Sequence, residues 1–374
     1  MDNSVSFRKV IVYAGSYVAT VIGSGFATGQ EIMQFFSFYG LSGIIACLVA
    51  MALFAFLGME VLNRGRLVQP EDSTKIFSLY TGKTIGKFLD WFVPAFLFAV
   101  LVVMISGSGA TLSEYYGLSP HVGRIGMIVC SYLSVSFGVD KLSKVLGNIG
   151  PIIIVFTILV GGISLFKNAG TFGASLEFLK TAPVHKPAPN AAISGLLYAA
   201  FNVFVVMGFL AGLGRTARNK KEAYYGGLLG AVSLMLAAAM MYLAILSNAP
   251  ELFHKNIPTL VLADEISPII GKLFSIVLIL GIFSTAAPLL WQCTNRFYQD
   301  GTKGFKILSL IFSVLALIGG FLPFDKLVGT VYPYTGYVGI VLLVLIAIKV
   351  VKLKKEGRTG EEEIRALEQG KDAK

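Results

Sequence analysis

The amino-acid sequence predicts an all-α integral membrane protein of about ten transmembrane helices, built as a five-plus-five inverted repeat. Three observations carry that expectation. First, 55% of the 374 residues are hydrophobic and only 14% are charged, whereas a soluble domain carries roughly a quarter charged residues. Second, apolar runs near 20 residues recur along the whole chain, with charges and prolines between them. A helix needs about 20 such residues to cross the hydrocarbon core, and backbone groups inside lipid must bond within their own segment. Third, the sequence matches itself at one constant offset of 185 residues. The ten-residue alternation of a membrane barrel is absent.

The elements follow in order. The first run covers residues 10–38, and its centre, Gly23-Ser24-Gly25-Phe26-Ala27-Thr28-Gly29, is poor in helix formers. Gln30 and Glu31 follow with no small-residue cleavage site, so this run is not a cleaved signal peptide. The second run is 41–62. The third, 85–116, is long and holds Pro94. The fourth is 123–139 and the fifth 149–166, closing a first repeat at residues 1–167. A polar loop, 168–190, contains His185-Lys186-Pro187-Ala188-Pro189. The second repeat, 191–351, holds runs at 191–214, 224–246, 269–298 with Pro288 inside, 307–321 and 328–351. The tail, 352–374, is charged, and a short surface helix is expected over 361–369.

Ten crossings put both termini on one side. If the N-terminus, the even-to-odd loops and the tail are cytoplasmic, 24 of the 31 Lys and Arg lie there, as the positive-inside rule requires. The expected location is the cell (inner) membrane. The net charge of +10 then reflects topology and contact with anionic lipid, not a nucleic-acid surface. Cys47, Cys130 and Cys293 all fall in apolar runs, so neither a disulfide nor a metal cluster is expected.

In the repeat, Tyr13-Ala14 matches Tyr198-Ala199. Val18, Val21, Gly23 and Gly29 match Val203, Val206, Gly208 and Gly214. Thr74 matches Thr259, and Ile85-Gly86-Lys87 matches Ile270-Gly271-Lys272. Single identities are cheap in apolar sequence; one gapless offset across separate regions is not. Five helices per half is an odd number, so the second half enters the membrane from the opposite side. Inverted repeats of this kind mark transporters with a site near the midplane.

The glycines of Gly23-Ser24-Gly25 weaken a helix by about 1 kcal/mol each relative to alanine. An unwound stretch at membrane depth survives only where protein or a polar cavity satisfies it. Its freed carbonyls suit a cation and its freed amides an anionic group. Close helix packing is the competing reading, since Gly23 and Ala27 have small-xxx-small spacing; polar Thr20, Ser24, Thr28, Gln30 and Glu31 in the same run favour a break. Glu31 is an acid at membrane depth and therefore a functional candidate for gating, proton coupling or substrate contact; the alternative is a favourable charge at a new helix N-terminus. Asn202 is a lone amide in an apolar run, beside a weak point at Met207-Gly208. In the eighth run, Ser284 and Thr285 either bond back to their own turn or present oxygens to a hard monovalent cation.

At these residues the chain resembles the LeuT-fold transporters of the amino acid–polyamine–organocation superfamily. GSGFATGQE in the first run is most similar to the bacterial YkvI-like membrane proteins. The resemblance covers nearly the whole chain and implies that helices one and six are broken. It implies one Na+ site, with carbonyl ligands from Ala19, Ile22 and Gly281 and hydroxyl ligands from Ser284 and Thr285. It also implies a substrate pocket lined by Gly23, Ser24, Gly25 and Phe26, by Phe201 and Asn202, and by helix three near Phe98 to Val102. The helix-one amides would suit a carboxylate, as in an amino acid or related zwitterion. No enzyme and no cofactor beyond Na+ is implied.

The function expected is secondary active transport, Na+-coupled symport of a small organic solute by alternating access. The alternative is a proton-coupled transporter or exchanger using Glu31. A channel would show charged rings or filter loops, and neither is evident. An intramembrane enzyme is disfavoured, because no HExxH motif is present and His121, His185 and His254 all fall in expected outer loops.

Overall fold

A computed structural model describes residues 5–137 and 149–369. The first crossing is assembled from three pieces: α1 (Phe7–Val21), α2 (Ser24–Thr28) and α3 (Gln30–Phe35). The next four crossings are α4 (Gly43–Val68), α5 (Ile76–Tyr116), α6 (Pro120–Phe137) and α7 (Ile149–Lys167). The short helix α8 (Phe172–Thr181) leads to the sixth and seventh crossings, α9 (Ala191–Gly214) and α10 (Lys220–Ser247). Two short helices, α11 (Ala249–Leu252) and α12 (Pro258–Ile266), precede α13 (Pro268–Asn295), α14 (Lys303–Gly319) and α15 (Phe324–Lys355). The tail ends in α16 (Glu361–Glu368). Among the described residues there is no strand.

Seven of these helices are long and apolar enough to cross a membrane. The remaining crossings are the broken first segment, α6 with 18 residues and α14 with 17. Apolar residues are exposed in helical stripes, such as Ile307, Leu310, Ile311, Val314, Leu315 and Ile318 of α14. The same helix buries the small or polar Ser309, Ser313 and Ala316. That inside-out arrangement is what lipid as a solvent selects, because apolar side chains gain nothing by leaving hydrocarbon.

The helices pack in two groups. In the first group α1 and α4 each pack on both α9 and α10; in the second, α5, α6, α13 and α14 all contact one another. Helix α15 braces α9 and α5, as α7 braces α10 and α13. Exchanging each crossing for the one five places on carries many of these contacts onto others: α1 on α10 becomes α9 on α4, and α5 on α15 becomes α13 on α7. The contact pattern is thus that of an inverted repeat. Inside the first group α4 and α10 touch backbone to backbone. A Cβ at Gly227 would fall 2.3 Å from the carbonyl carbon of Gly58, so neither position admits a side chain.

The structure corrects one expectation. Helix six is not broken; α9 runs unbroken through Met207-Gly208. The reason is burial on both sides. Ala199, Phe201, Val203, Phe204, Val206 and Met207 are all packed away, and α9 is clamped between α4 and α15. Its one close glycine pair, Gly212 and Gly214, falls at the helix end, whereas Gly23-Ser24-Gly25 falls at the centre of its run. The third helix also begins earlier than expected, at Ile76, and bends at Gly82, where φ is 77°. The expected fourth run reaches past residue 137 and so partly outside the described residues.

Candidate substrate and ion site at the broken first helix

The break falls at Ile22 and Gly23, both extended, with ψ of 102° and −169°. Backbone bonding stops with Ile22 N donating to Val18 O at 3.0 Å and resumes with Ala27 N donating to Gly23 O at 3.1 Å. No backbone amide across the break reaches the carbonyls of Ala19 to Ile22. Conversely, the amides of Gly23 to Phe26 have no turn before them. The local sequence therefore produces two unsatisfied sets, carbonyls on one side and amides on the other. A second discontinuity follows at Gly29, with φ of 82°, a left-handed residue that only glycine adopts freely. It is held from outside by α12: Thr259 Oγ1 donates to Ala27 O at 2.7 Å.

The side chains around the break are buried. Ser24 is 0% exposed, and its Oγ has no hydrogen-bond partner. Phe26 is fully buried. Thr28 Oγ1 donates to Gly25 O at 3.0 Å and so is spoken for locally. The carboxyl of Glu31 folds back over Gly25, where a Cβ would lie 2.0 Å from Glu31 Oε1. Glu31 is buried at membrane depth, and among the described residues no Lys or Arg forms an ion pair with it. Its neighbours are two buried tyrosines, Tyr198 of α9 and Tyr332 of α15. The Tyr198 hydroxyl faces Glu31 yet makes no hydrogen bond of ordinary geometry.

On α9, Asn202 Nδ2 donates to Tyr198 O at 2.9 Å, a bond within its own helix. Phe201 stacks on Tyr332, with centroids 4.6 Å apart and planes at 6°. Of the stretch Phe98 to Val102 expected from helix three, Val100 and Leu101 are buried, while its ends pack elsewhere. Phe98 packs on Phe312 of α14, and Val102 lies against Gly319. Met104, one turn on from Val100 and Leu101, comes 3.4 Å from where a Gly23 Cβ would stand, and Phe92 and Phe96 reach Phe204 of α9.

In α13, Gly281, Ser284 and Thr285 converge on one oxygen. Ser284 Oγ and Thr285 Oγ1 both donate to Gly281 O, at 2.7 and 3.2 Å. Ala19 and Ile22 sit at the end of α1, next to α2, which packs on α13. Gly150 of α7 closes on Ala19 from the other side. Among the described residues, no group of three or more His, Cys, Asp or Glu side chains comes together.

A feature outside the sequence expectations lies beyond α3, on the face opposite the chain ends. A cavity of about 520 Å³ is lined by residues including Gln30, Gln34, His185, Lys255, Asp325 and Lys326. Gln34 Nε2 donates to Asp325 O at 2.9 Å, joining α3 to the top of α15. A second cavity of about 310 Å³ shares Asn256 and Asp325 with the first and adds Glu114 and Arg124. These residues come from helix ends and connecting segments far apart in sequence. Only Gln30, beside Glu31, carried any sequence signal.

No protein-family model matches the chain. The chain is homologous to the uncharacterized membrane protein YkvI of Bacillus subtilis, 25% identical over 322 residues, which are 86% of this chain and 90% of the relative. It is also similar to the uncharacterized protein YyaD of the same organism, 22% identical over 325 residues, with 85% and 90% covered. Among solved structures, MhsT in complex with L-phenylalanine matches with a TM-score of 0.59 at 15% identity, covering 91% of this chain and 88% of that one. The inward-facing conformation of Mhp1 gives 0.58 at 14%, covering 88% and 73%. A manganese transporter of Eremococcus coleocola gives 0.54 at 15%, covering 94% and 80%. At such identities these likenesses establish the fold, which is the LeuT fold.

Proposed function

We propose that the protein is a secondary transporter that carries a small organic solute, an amino acid or similar zwitterion, across the cell membrane by alternating access. Na+ is the coupling ion, and both termini are cytoplasmic. The observation that carries this reading is the break at Ile22 and Gly23. It leaves carbonyls free before it and amides free after it, in a segment whose neighbour α13 gathers Gly281, Ser284 and Thr285. Half-helix ends of this polarity suit a cation on one side and a carboxylate on the other. Gly23, Ser24, Gly25, Phe26, Phe201 and Asn202 would contact the solute, and Ala19, Ile22, Gly281, Ser284 and Thr285 the ion. A transition-metal cargo fits less well, because such ions favour imidazole, thiolate or carboxylate clusters, and none gathers among the described residues.

The experiment is uptake into proteoliposomes from a solute library, driven by an imposed Na+ gradient. Uptake is expected to need Na+ and to fall at least about tenfold in Ser284→Ala/Thr285→Ala, since two of five oxygen ligands go. Both hydroxyls bond to their own turn, so stability should hold. Uptake indifferent to Na+ and to both substitutions would remove the ion from the mechanism.

One observation favours a second reading. Glu31 is buried without a cationic partner among the described residues, and an isolated carboxylate in that setting is costly unless a proton or cation accompanies it. On this reading a pH gradient drives uptake and Glu31→Gln abolishes the drive while solute binding persists. If Glu31→Gln leaves a pH-driven uptake intact, proton coupling through this residue is excluded.

A further inference from the structure

On the face that carries both chain ends, residues 69–82 join α4 to α5. This segment is bounded by two left-handed residues, Gln69 with φ of 45° and Gly82 with φ of 77°. Open space surrounds Gly82 where a Cβ would point, and positive φ is uncommon for a residue such as Gln69. Between the two bends lie the turn Ser73–Lys75 and the first turns of α5, which bury Ile76, Leu79 and Tyr80.

The segment is the inverted counterpart of α12. The 185-residue offset that pairs Thr74 with Thr259 also pairs Ala27 with Gly212. On the far side, Thr259 is bonded to Ala27 of the first crossing. On the near side, Ser73 rests on Gly212 of the sixth, its Cβ 3.5 Å from where a Gly212 Cβ would stand. So each lid-like segment lies across one half of a helix that flanks the site.

The near segment is also strapped by the C-terminal tail. Glu368 Oε1 accepts the amides of Glu71 at 2.7 Å and Asp72 at 3.3 Å. Gly360, at φ of 85°, turns the tail against Leu79. Thr359 O accepts Arg64 Nη1 at 2.6 Å. Arg64 in turn pairs with Glu60 at 2.7 Å, and Tyr80 donates to the same Glu60 oxygen at 2.9 Å. The tail is anchored by Glu363, only 7% exposed, which pairs with Lys349 of α15 and with Arg358 at 2.9 Å. Ile364 beside it is fully buried. A buried carboxylate held by two cations and a buried isoleucine mark a docked element, not a loose tail.

These contacts span both helix groups. Glu60 and Arg64 belong to α4, Leu79 and Tyr80 to α5, and the tail ties the two together at the bends that would let them separate. We infer that residues 356–369 are a conformational latch. Docked, they hold segment 69–82 against α9 and keep the two groups together on this face. Released, they let the segment swing about Gln69 and Gly82. The inference does not depend on which solute or ion is carried.

The test uses the full chain with Cys47→Ala, Cys130→Ser and Cys293→Ala, carrying Ser73→Cys and Gly212→Cys. The Cβ separation of 3.5 Å lies at the short end of the disulfide range of roughly 3.5–4.5 Å. Membranes are oxidised with copper phenanthroline, and unreacted thiols are counted with a maleimide–polyethylene glycol. With the tail intact the pair is expected to close readily. In Glu368→Ala, and in a chain ended after Glu356, closure should slow by about tenfold, the shift expected from losing a charge-assisted hydrogen bond. Unchanged closure rates in both would overturn the latch. Should the shortened chain fail to fold, Glu368→Ala decides alone, since it removes only the carboxylate that accepts the Glu71 and Asp72 amides.

Discussion

Ser24 separates packing from function at the scale of one residue. Its hydroxyl is fully buried and has no partner. A buried polar group left unsatisfied costs roughly 1–3 kcal/mol. Ser24→Ala is therefore expected to leave thermal stability in detergent unchanged or raise it. Solute binding should weaken, because a hydroxyl kept at such a cost beside the helix break has a ligand as its natural partner. If Ser24→Ala lowers stability and leaves uptake untouched, the hydroxyl is structural. This residue was visible in the sequence because it stands between two glycines. Tyr198 was not. The sequence showed it only as a repeat identity with Tyr13, and its position facing Glu31 depends on how α9 is rotated against α3. Asn202 shows the converse: a lone polar residue in an apolar run stood out, yet its amide donates to its own helix.

Whole elements were legible where hydropathy and glycine placement decide them. The ten apolar runs became ten crossings, and the tail helix appeared at Glu361–Glu368. The first break was legible because Gly23-Ser24-Gly25 concentrates weak helix formers, whereas the bond from Thr259 that holds the second discontinuity, at Gly29, is tertiary. The continuity of α9 was not legible, because burial against α4 and α15 outweighs its four glycines and no local pattern reports that. The joint between α4 and α5 was likewise hidden. Glu60 and Arg64 are four apart on one helix, an ordinary surface spacing, but the structure buries both, with side chains 8% and 7% exposed. Glu60→Gln should leave Arg64 without its ion-pair partner and destabilise the protein by roughly 3–5 kcal/mol. Replacing the pair together, Glu60→Leu with Arg64→Met, should recover much of that loss. Thermal melting of the three proteins in one detergent checks it. A Glu60→Gln variant as stable as the parent would show that the pair is not desolvated.

At the scale of the whole molecule, the break lies between the two helix groups, since α1 packs on α10 and α2 on α13. A ligand bound at the break therefore touches both helix groups. An ion between α1 and α13 and a solute against the α2 amides would share the same short segment, 19–26, whose carbonyls and amides are freed by one event, the loss of helix at Ile22 and Gly23. Ordering that segment for one ligand prepares it for the other, so the two should bind cooperatively. Thermodynamic linkage makes the coupling reciprocal: the factor by which Na+ tightens the solute equals the factor by which the solute tightens Na+. A factor of about 5 to 150 is typical of such coupling. Calorimetric titration of the solute at several Na+ concentrations, and of Na+ at several solute concentrations, measures both factors on the same protein. Factors above one show that the two ligands are energetically coupled. A factor of one in both titrations would mean that the freed carbonyls and the freed amides act independently, and that Na+ cannot be what drives the solute.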